Sequence, residues 1–465
     1  MKTTKRLITL QYNYYNEIEE KLDKYASEGL VLKKCNGMFW TFEKTEPKNL
    51  KYTVTYFKEG SIFNPEYTDN QLTYFDYAKE GGWEFVCEHG QMQIFKSSLE
   101  NPIPFDTDDN EKLKNIHACM KKSFIPTQVI LFFLWFLNSA IRIPSIFNRA
   151  TDFLASKVEL LSLVLFIMSA IFSAYSLMNY YNWYNDSKKS IEIGGEIKSF
   201  RSNIKKIYER VHVILLFILL IYMFANLFKE TNFGIIVMAI MQVPIFIAVF
   251  FGAISIQKRF KISAKINKIV TFIVYILTVL LYCGFVFSML SNFNFNKQTE
   301  KEYRVVKWSF LDGETYDYRL YNDKLPLTCQ DLYGDIDFED YSYENNIEST
   351  FLLTKNEYSQ SAPPTNGKPP EISYTIYSSK FNFVDNMINK ELLASNEKFD
   401  LYLEPIENES FNTKEAYTFY YLENDKKSYH GEYLLIYDDK IIHLNLHEQL
   451  NENQKNIVNE KLSFS

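Results

Sequence analysis

Long apolar runs separated by short polar segments occupy the middle of the chain. Five windows contain no Lys, Arg, Asp or Glu: 124–141, 160–181, 211–228, 233–256 and 269–290. A helix rises about 1.5 Å per residue, so about 20 apolar residues cross a hydrocarbon core of roughly 30 Å. Runs of this length in lipid belong to helices, whose backbone groups are satisfied internally. The pattern predicts a multi-domain membrane protein with a five-helix transmembrane bundle over residues 124–291.

The loops between these runs differ in basic residues. Loop 182–210 carries seven Lys and Arg residues, loop 257–268 carries five, and the segment 106–123, interpreted as a basic linker, carries four. The alternate loops 142–159 and 229–232 carry three and one. Basic loops stay on the cytoplasmic side. We therefore expect a multi-pass plasma-membrane protein with a cytoplasmic N-terminus and an extracellular C-terminus.

Residues 1–105 contain an internal repeat. The segment Tyr25–Gly29, YASEG, returns as Tyr77–Gly81, YAKEG. Before the first copy, apolar residues recur at steps of three and four, which predicts a helix with one buried stripe. After each glycine the pattern alternates, as in hairpins. The sequence predicts an α+β cytoplasmic domain of two βαββ repeats.

Three segments of this domain carry a family resemblance. Glu19–Leu32, Phe42–Lys44 and above all Ala78–Val86 resemble the DUF2812 family of bacterial membrane proteins, whose function is unassigned. The resemblance covers roughly residues 5–97 and implies a low-GC Gram-positive source, with genes often near PadR-type transcription regulators. It implies no catalytic residues.

Aromatic residues of this domain are candidates for a protein-binding face. We single out Trp40, Tyr52, Tyr74 and Trp83 as candidate partner-binding residues, because aromatic side chains anchor many interfaces. A PadR-type regulator or an ABC ATPase is a candidate cytoplasmic partner. The alternative interpretation places these side chains in the core and in cross-strand pairs. Basic and acidic residues alternate here without a basic stripe, which argues against direct nucleic-acid binding.

Residues 292–465 form an acidic segment with 17 basic and 31 acidic side chains. Alternating runs predict strands, with a tight turn at Tyr437–Lys440. Helices are predicted at 382–394 and at 451–462, the latter opened by the capping pair Asn451 and Gln454. We expect an α+β extracellular domain that faces a ligand the sequence does not name.

Candidate chemistry in this outer segment is weak. His443 and His447 are four residues apart but on a predicted strand, without a third zinc ligand at the usual spacing. The acidic run 331–348 lacks the glycine and final glutamate of a calcium loop and is interpreted as a solvated face. No catalytic motif emerges, so we expect no enzyme, metal or cofactor. Cys329 is the one cysteine predicted outside, so an impermeant thiol reagent should reach it.

These features lead to two functional hypotheses. The first is a non-catalytic signalling or accessory protein of the membrane, whose outer domain senses or binds an envelope component while its cytoplasmic domain holds a partner such as a transcription factor. The alternative is a transport-associated protein, either a permease or an ABC-transporter partner. Lys, Arg, Asp and Glu, expected in a permeation pathway, are absent from the five windows, and His212, at the end of the third window, is interpreted as interfacial. Their absence favours the first hypothesis.

Overall fold

The computed structural model describes most of the chain. The described residues are 2–8, 14–36, 39–105, 108–199, 207, 208, 210–215, 217, 218, 221, 248–292, 302–309, 315–334, 336, 338–363, 369–394, 401–407, 411–423, 426–446 and 448–462. They divide into two compact units. Unit 1 comprises residues 1–136, 167–218 and 231–297, and unit 2 comprises 137–166, 219–230 and 298–465.

Unit 1 begins with two successive groups of elements in the order strand, helix, strand, strand. The first group is β1 (Thr3–Leu7), α1 (Tyr15–Ser27), β2 (Leu30–Asn36) and β3 (Phe39–Lys44), and the second is β4 (Lys51–Tyr56), α2 (Asp69–Glu80), β5 (Glu84–His89) and β6 (Met92–Ser97). Each group forms a three-stranded antiparallel sheet, ordered β1-β3-β2 and β4-β6-β5. The structure is therefore mixed α and β, as predicted.

Local sequence explains where these helices begin and end. Tyr15, Ile18, Leu22 and Ala26 form the buried stripe of α1. Gly29 follows with a φ of 80°, where a Cβ would lie 2.5 Å from the carbonyl oxygen of Thr45. This left-handed conformation favours glycine and ends the helix. These outcomes confirm the spacing argument for α1.

The segment expected as a basic linker forms a helix, α3 (Asp109–Lys122). Its start is capped by the Asp108 carboxylate, which accepts hydrogen bonds from two backbone amides of the first turn. Leu113, Ile116 and Met120 are buried in the same core cluster as Ile18 and Leu22 of α1. Residues 109–122 are thus an integral part of the N-terminal core.

Three helices are long and apolar enough to cross a membrane within the described residues. They are the continuous stretch formed by α3 and α4 (Phe124–Asn148), α6 (Lys157–Glu192) and α7 (Ala264–Asn292). In the most apolar windows of the first and third, protein covers only 6% and 11% of the residues, against 39% in α6. The predicted spans 124–141, 160–181 and 269–290 lie on these helices.

The other two predicted spans are described only in part. Residues 211–228 include short helical stretches, and residues 248–259, at the end of the window 233–256, are helical. The remainder of both windows lies outside the described residues. The structure therefore supports an apolar helical segment with three candidate spans, without testing the number five.

Unit 2 is built on a seven-stranded antiparallel sheet, ordered β12-β13-β14-β15-β11-β10-β9. Its strands are β9 (Ser342–Ser349), β10 (Thr354–Ser361), β11 (Ile372–Ser378), β12 (Leu401–Pro405), β13 (Glu415–Glu423), β14 (Lys426–Ile436) and β15 (Ile441–Leu446). A separate hairpin joins β7 (Tyr303–Ser309) to β8 (Thr315–Tyr321). The helices of this unit are α5 (Ala150–Ala155), α8 (Cys329–Tyr333), α9 (Asn382–Leu392) and α10 (Glu452–Leu462).

Several local predictions for unit 2 are confirmed. The amide of Tyr437 donates to the carbonyl of Lys440 at 2.9 Å, which closes the turn between β14 and β15. At the start of α10, the Gln454 amide donates to the Asn451 side chain at 3.0 Å, and the Asn451 amide donates back to Gln454 at 2.9 Å. Reciprocal bonds of this kind satisfy two otherwise unpaired N–H groups.

Candidate partner-binding groove of the N-terminal domain

The four aromatic residues proposed as a binding face pack against the protein instead. Trp40, Tyr52 and Trp83 are 3%, 5% and 8% exposed, and Tyr74 is partly buried against Phe95 and other aromatics. This corrects the expectation of an exposed face, because alternate positions on β3 and β4 point into the core shared with α1. Trp40 and Tyr74 instead fit the alternative interpretation given above, in which the aromatic side chains pack within the protein.

Tyr52 joins the two halves of the domain. Its hydroxyl accepts a hydrogen bond from the amide of Leu32 on β2 at 3.2 Å. Its own amide donates to the carboxylate of Asp23 on α1 at 2.7 Å. Burial is the main reason that the pKa of Tyr52 rises to about 12, so the phenol stays protonated at physiological pH.

Two carboxylates of α1 cover the outer edge of β4. The Glu19 carboxylate accepts from the amide of Val54 at 2.7 Å and from the hydroxyl of Thr53 at 3.2 Å. The Asp23 carboxylate accepts from the amide of Tyr52. Glu19 and Asp23 are four residues apart and therefore lie on one helix face. They satisfy the edge amides that would otherwise be open to strand pairing. Burial raises the pKa of Glu19 to about 6 and also raises that of Asp23.

A groove with a cavity volume of about 720 Å³ opens on this domain. It lies where Val31 of β2, together with Lys48 and Leu50 of the segment between β3 and β4, meets α2, β5 and β6. The rings of Phe75 and Phe85, which line it, stack with their centroids 4.2 Å apart. The full lining is Val31, Lys48, Leu50, Phe75, Asp76, Lys79, Gly82, Trp83, Glu84, Phe85, Lys96, Ser97 and Ser98.

Charges of both signs line the same groove. Lys48, Lys79 and Lys96 stand with Asp76 and Glu84 around the aromatic rings. Lys96 is paired with Glu84 at 3.2 Å, whereas Asp76 and Lys79 are exposed on the last turns of α2. Apolar rings surrounded by mixed charge suit an amphipathic peptide segment of a protein partner.

Trp83 lines this groove and also a smaller cavity of about 350 Å³ that contains Glu19, Tyr52 and Lys112. Its indole nitrogen donates to the carbonyl of Ile103 at 2.8 Å, which fixes the ring. The sequence therefore singled out two residues, Trp83 and Tyr52, that do line cavities. Sequence reasoning missed Phe75, Phe85 and Lys79, which line the groove only because of how the two halves of the domain pack.

The comparisons with known proteins identify this part of the chain. Residues 14–127 match the DUF2812 family. That family is described as a protein of unknown function, and the match confirms the resemblance inferred from the sequence and extends it through α3. No curated protein and no solved structure matches the chain. The DUF2812 segment thus contains the groove, the carboxylates of α1 and the helix that enters α4.

The DUF2812 segment is held by the end of α6. Tyr180 and Trp183 of α6 are buried in the core cluster that contains Leu22 and Trp40. The Tyr180 hydroxyl lies 2.8 Å from Nδ1 of His117 on α3. After α6, the amide of Ile197 donates to the Asp109 carboxylate at 3.1 Å. Residues 193–199 are not helical, and residues 200–206 lie outside the described residues.

The first turns of α7 and the turn that precedes it also contact this segment. The side-chain amide of Asn267 in α7 donates to the carbonyl of Phe63 at 2.9 Å, and Lys261, in the preceding turn, pairs with Glu66 at 2.7 Å. Thr271 donates to the Asn267 side chain at 3.2 Å and accepts from Gln257 at 3.1 Å. These contacts attach the start of α7 to the loop between β4 and α2.

The weaker candidates of unit 2 have structural roles. His443 lies 2.8 Å from the Glu432 carboxylate on the neighbouring strand, and His447 lies outside the described residues. Asp331 caps α8 through Thr328 and pairs with Lys461 at 2.9 Å. Within the described part of the chain, no group of three or more His, Cys, Asp or Glu residues could hold a metal ion.

Proposed function

We propose that the chain is a non-catalytic signalling or accessory protein of the plasma membrane. Its C-terminal domain would sense or bind an envelope component outside the cell. Its DUF2812 segment would hold a cytoplasmic protein partner in the aromatic groove. Two successive βαββ copies would build that cytoplasmic domain.

The observation that supports this proposal is the packing of α6. This helix has 36 residues and is therefore about 54 Å long, enough to cross a bilayer and project from it. Near its start, Leu160 and Leu163 pack in the cluster that contains Ile436 and Ile441 of the outer sheet. Near its end, Tyr180 and Trp183 pack in the core of the DUF2812 segment. One helix therefore contributes side chains to both cores.

The same contacts support the proposed topology. If α6 crosses the bilayer, its start and end emerge on opposite faces. The basic loops 182–210 and 257–268 and the DUF2812 segment then share the cytoplasmic face, as the positive-inside rule favours. Residues 142–159 and the acidic C-terminal domain then share the outer face.

Cross-linked co-purification from native membranes tests the partner. Lys79 and Lys24 each stand in the last turn of a helix of the DUF2812 segment, but only Lys79 lines the groove. We expect Lys79→Glu to lose a partner that the full-length wild-type chain retains, while Lys24→Glu keeps it. Equal recovery from both variants would contradict the groove as the docking site. Point variants are preferable to removal of residues 1–105, which would expose the apolar side of α3.

The rival is a transport-associated protein that serves an ABC ATPase. The buried, hydrogen-bonded chain of Gln257, Thr271 and Asn267 supports it, since polar residues within a membrane domain are costly and often mark a substrate pathway. The co-purification separates the two hypotheses. A DNA-binding regulator lost in Lys79→Glu favours signalling, and an ABC ATPase retained in both variants favours transport.

A further inference from the structure

Three phenylalanines of unit 2 are unusually exposed. Phe351 is 77% exposed, Phe383 is 55% exposed and Phe381 is 38% exposed. Phe351 lies in the turn between β9 and β10, and the other two lie at the start of α9. The rings of Phe381 and Phe383 are 5.7 Å apart. Large apolar rings that are exposed together on the surface of a folded domain indicate an interaction surface.

The two loops that carry these rings are attached to α5. The hydroxyl of Thr350 donates to the carbonyl of Leu154 in α5 at 2.6 Å. The hydroxyl of Ser379 donates to the carbonyl of Leu352 at 2.8 Å, which joins the second loop to the first. At the beginning of β10, Lys355 pairs with Asp152 of α5 at 2.8 Å. The rings therefore stand beside α5.

Helix α5 is the short connection between α4 and α6, two of the helices able to cross a membrane. Exposed apolar side chains of α4 continue almost to α5, because Ile143 is 42% and Phe147 is 59% exposed. Basic side chains then appear on the surface, namely Arg149, Lys157 and Lys380. A change from apolar to basic residues over a few positions marks the level of the lipid headgroups.

We propose that Phe351, Phe381 and Phe383 insert into the interfacial layer of the bilayer that α4 and α6 cross. Aromatic side chains favour this layer, and Lys380 stands beside two of the rings to meet lipid phosphates. The occupant of this surface is thus lipid, and the contact anchors the α5 end of the outer domain at the membrane. The inference rests on the membrane insertion of α4 and α6 in the proposed function.

Fluorescence quenching in vesicles tests the inference with the full-length chain. Phe351→Trp and Phe383→Trp variants are reconstituted in phosphatidylcholine with or without bromine on the acyl chains near the headgroup. We expect bromolipid to remove most of the emission that each new tryptophan adds to the wild-type signal. The matched control is Leu422→Trp, a residue 39% exposed in the same sheet.

The strand pairing places that control far from α5. The start of β10, which contacts α5, lies at one end of the sheet, where Thr354 pairs with Ser378 of β11. At the same end, Tyr377 pairs with Ile441, Ile441 with Ile436, and Ile436 with Glu415 of β13. Leu422 lies seven positions beyond Glu415, which is about 23 Å along the strand. Emission from Leu422→Trp should therefore be unaffected by bromolipid.

The native Trp135 of α4 distinguishes a failure of the interfacial contact from a failure of membrane insertion. The difference between the wild type and Trp135→Phe reports whether α4 lies in lipid. If Trp135 is quenched and the new tryptophans are not, the interfacial contact is overturned while membrane insertion stands. If Trp135 is not quenched either, both the contact and the membrane insertion of the proposed function are overturned.

Discussion

Glu19 connects protonation to the stability of the DUF2812 segment. Its pKa is about 6 in the folded protein because of burial, compared with 4.5 for an ordinary glutamate. The folded state therefore holds a proton that the unfolded chain has released between these pH values. The favourable contribution of Glu19 is complete below about pH 4.5 and is lost as the pH rises through about 6, a change of at most about 2 kcal/mol.

We expect Glu19→Gln to reduce the fall in thermal unfolding midpoint between pH 5 and pH 7.5, measured on the full-length protein in detergent. A glutamine oxygen still accepts from the amide of Val54, so the variant should be the more stable protein at pH 7.5. Glu28→Gln, at the exposed end of α1, serves as the control and should leave the profile unchanged. A wild-type profile in Glu19→Gln would contradict this account.

The described cysteines should resist alkylation in the folded protein. Cys35, Cys119 and Cys329 are buried, and Cys87 is half-buried. A hydrogen bond with Cys35, together with burial, raises the pKa of Cys87, and burial raises that of Cys329 to about 12. Because the thiolate is the reactive form, maleimide should modify them only after denaturation, as followed by peptide mass spectrometry. Rapid labelling of Cys329 in the folded protein would contradict its burial. The positive control is Lys33→Cys, at an exposed position, which should be labelled at once.

Sequence reasoning at this scale succeeded where neighbours in the chain decide the outcome. The stripe of α1 and the reciprocal cap formed by Asn451 and Gln454 follow from spacing alone. By contrast, the Gln71 side chain donates to Glu88 at 2.6 Å, and the Glu19 carboxylate accepts from the Val54 amide of β4. Those contacts depend on packing between distant segments, which no local spacing reveals.

Helix α5 lies between α4 and α6 in the chain and contacts α9. The amide and hydroxyl of Thr151 both donate to the Glu391 carboxylate of α9 at 2.8 Å. Truncation in Glu391→Ala leaves these donors without their acceptor, which costs about 1–3 kcal/mol. We expect faster hydrogen exchange at residues 150–155 in Glu391→Ala. The control is Lys390→Ala at an exposed neighbouring position, in which the exchange of these residues should be unchanged. Unaltered exchange in Glu391→Ala would show that apolar packing alone holds α5.

At the scale of elements, the sequence predicted most helices but misjudged two connections. Helix α9 begins at the predicted Asn382 and ends two residues early. Helix α3 was interpreted as a linker although Leu113, Ile116 and Met120 recur at steps of three and four, because its many charges outweighed that stripe. Helix α5 was not predicted because six residues are too short for a periodic signal. The order of the seven strands also lay beyond local patterns.

At the scale of the whole molecule, apolar length predicted a membrane protein, and three candidate spans agree. The candidate groove could not be predicted, because it forms where the two halves of the DUF2812 segment meet. The sequence instead selected aromatic residues by type, and Trp40 and Tyr52 proved to be core residues. Residue type indicates the tendency to be buried, whereas exposure depends on the packed surface.

Topology can be measured with introduced cysteines, since the buried Cys329 is a poor probe. Lys426→Cys lies on an exposed position of β14 and Lys33→Cys on an exposed position of β2. An impermeant maleimide applied to intact cells should label Lys426→Cys at once and should label Lys33→Cys only after permeabilisation. The reverse pattern would place the DUF2812 segment outside and overturn the proposed topology. Labelling of both in intact cells would mean that the bundle crosses the membrane an even number of times, since the two domains would then share one face.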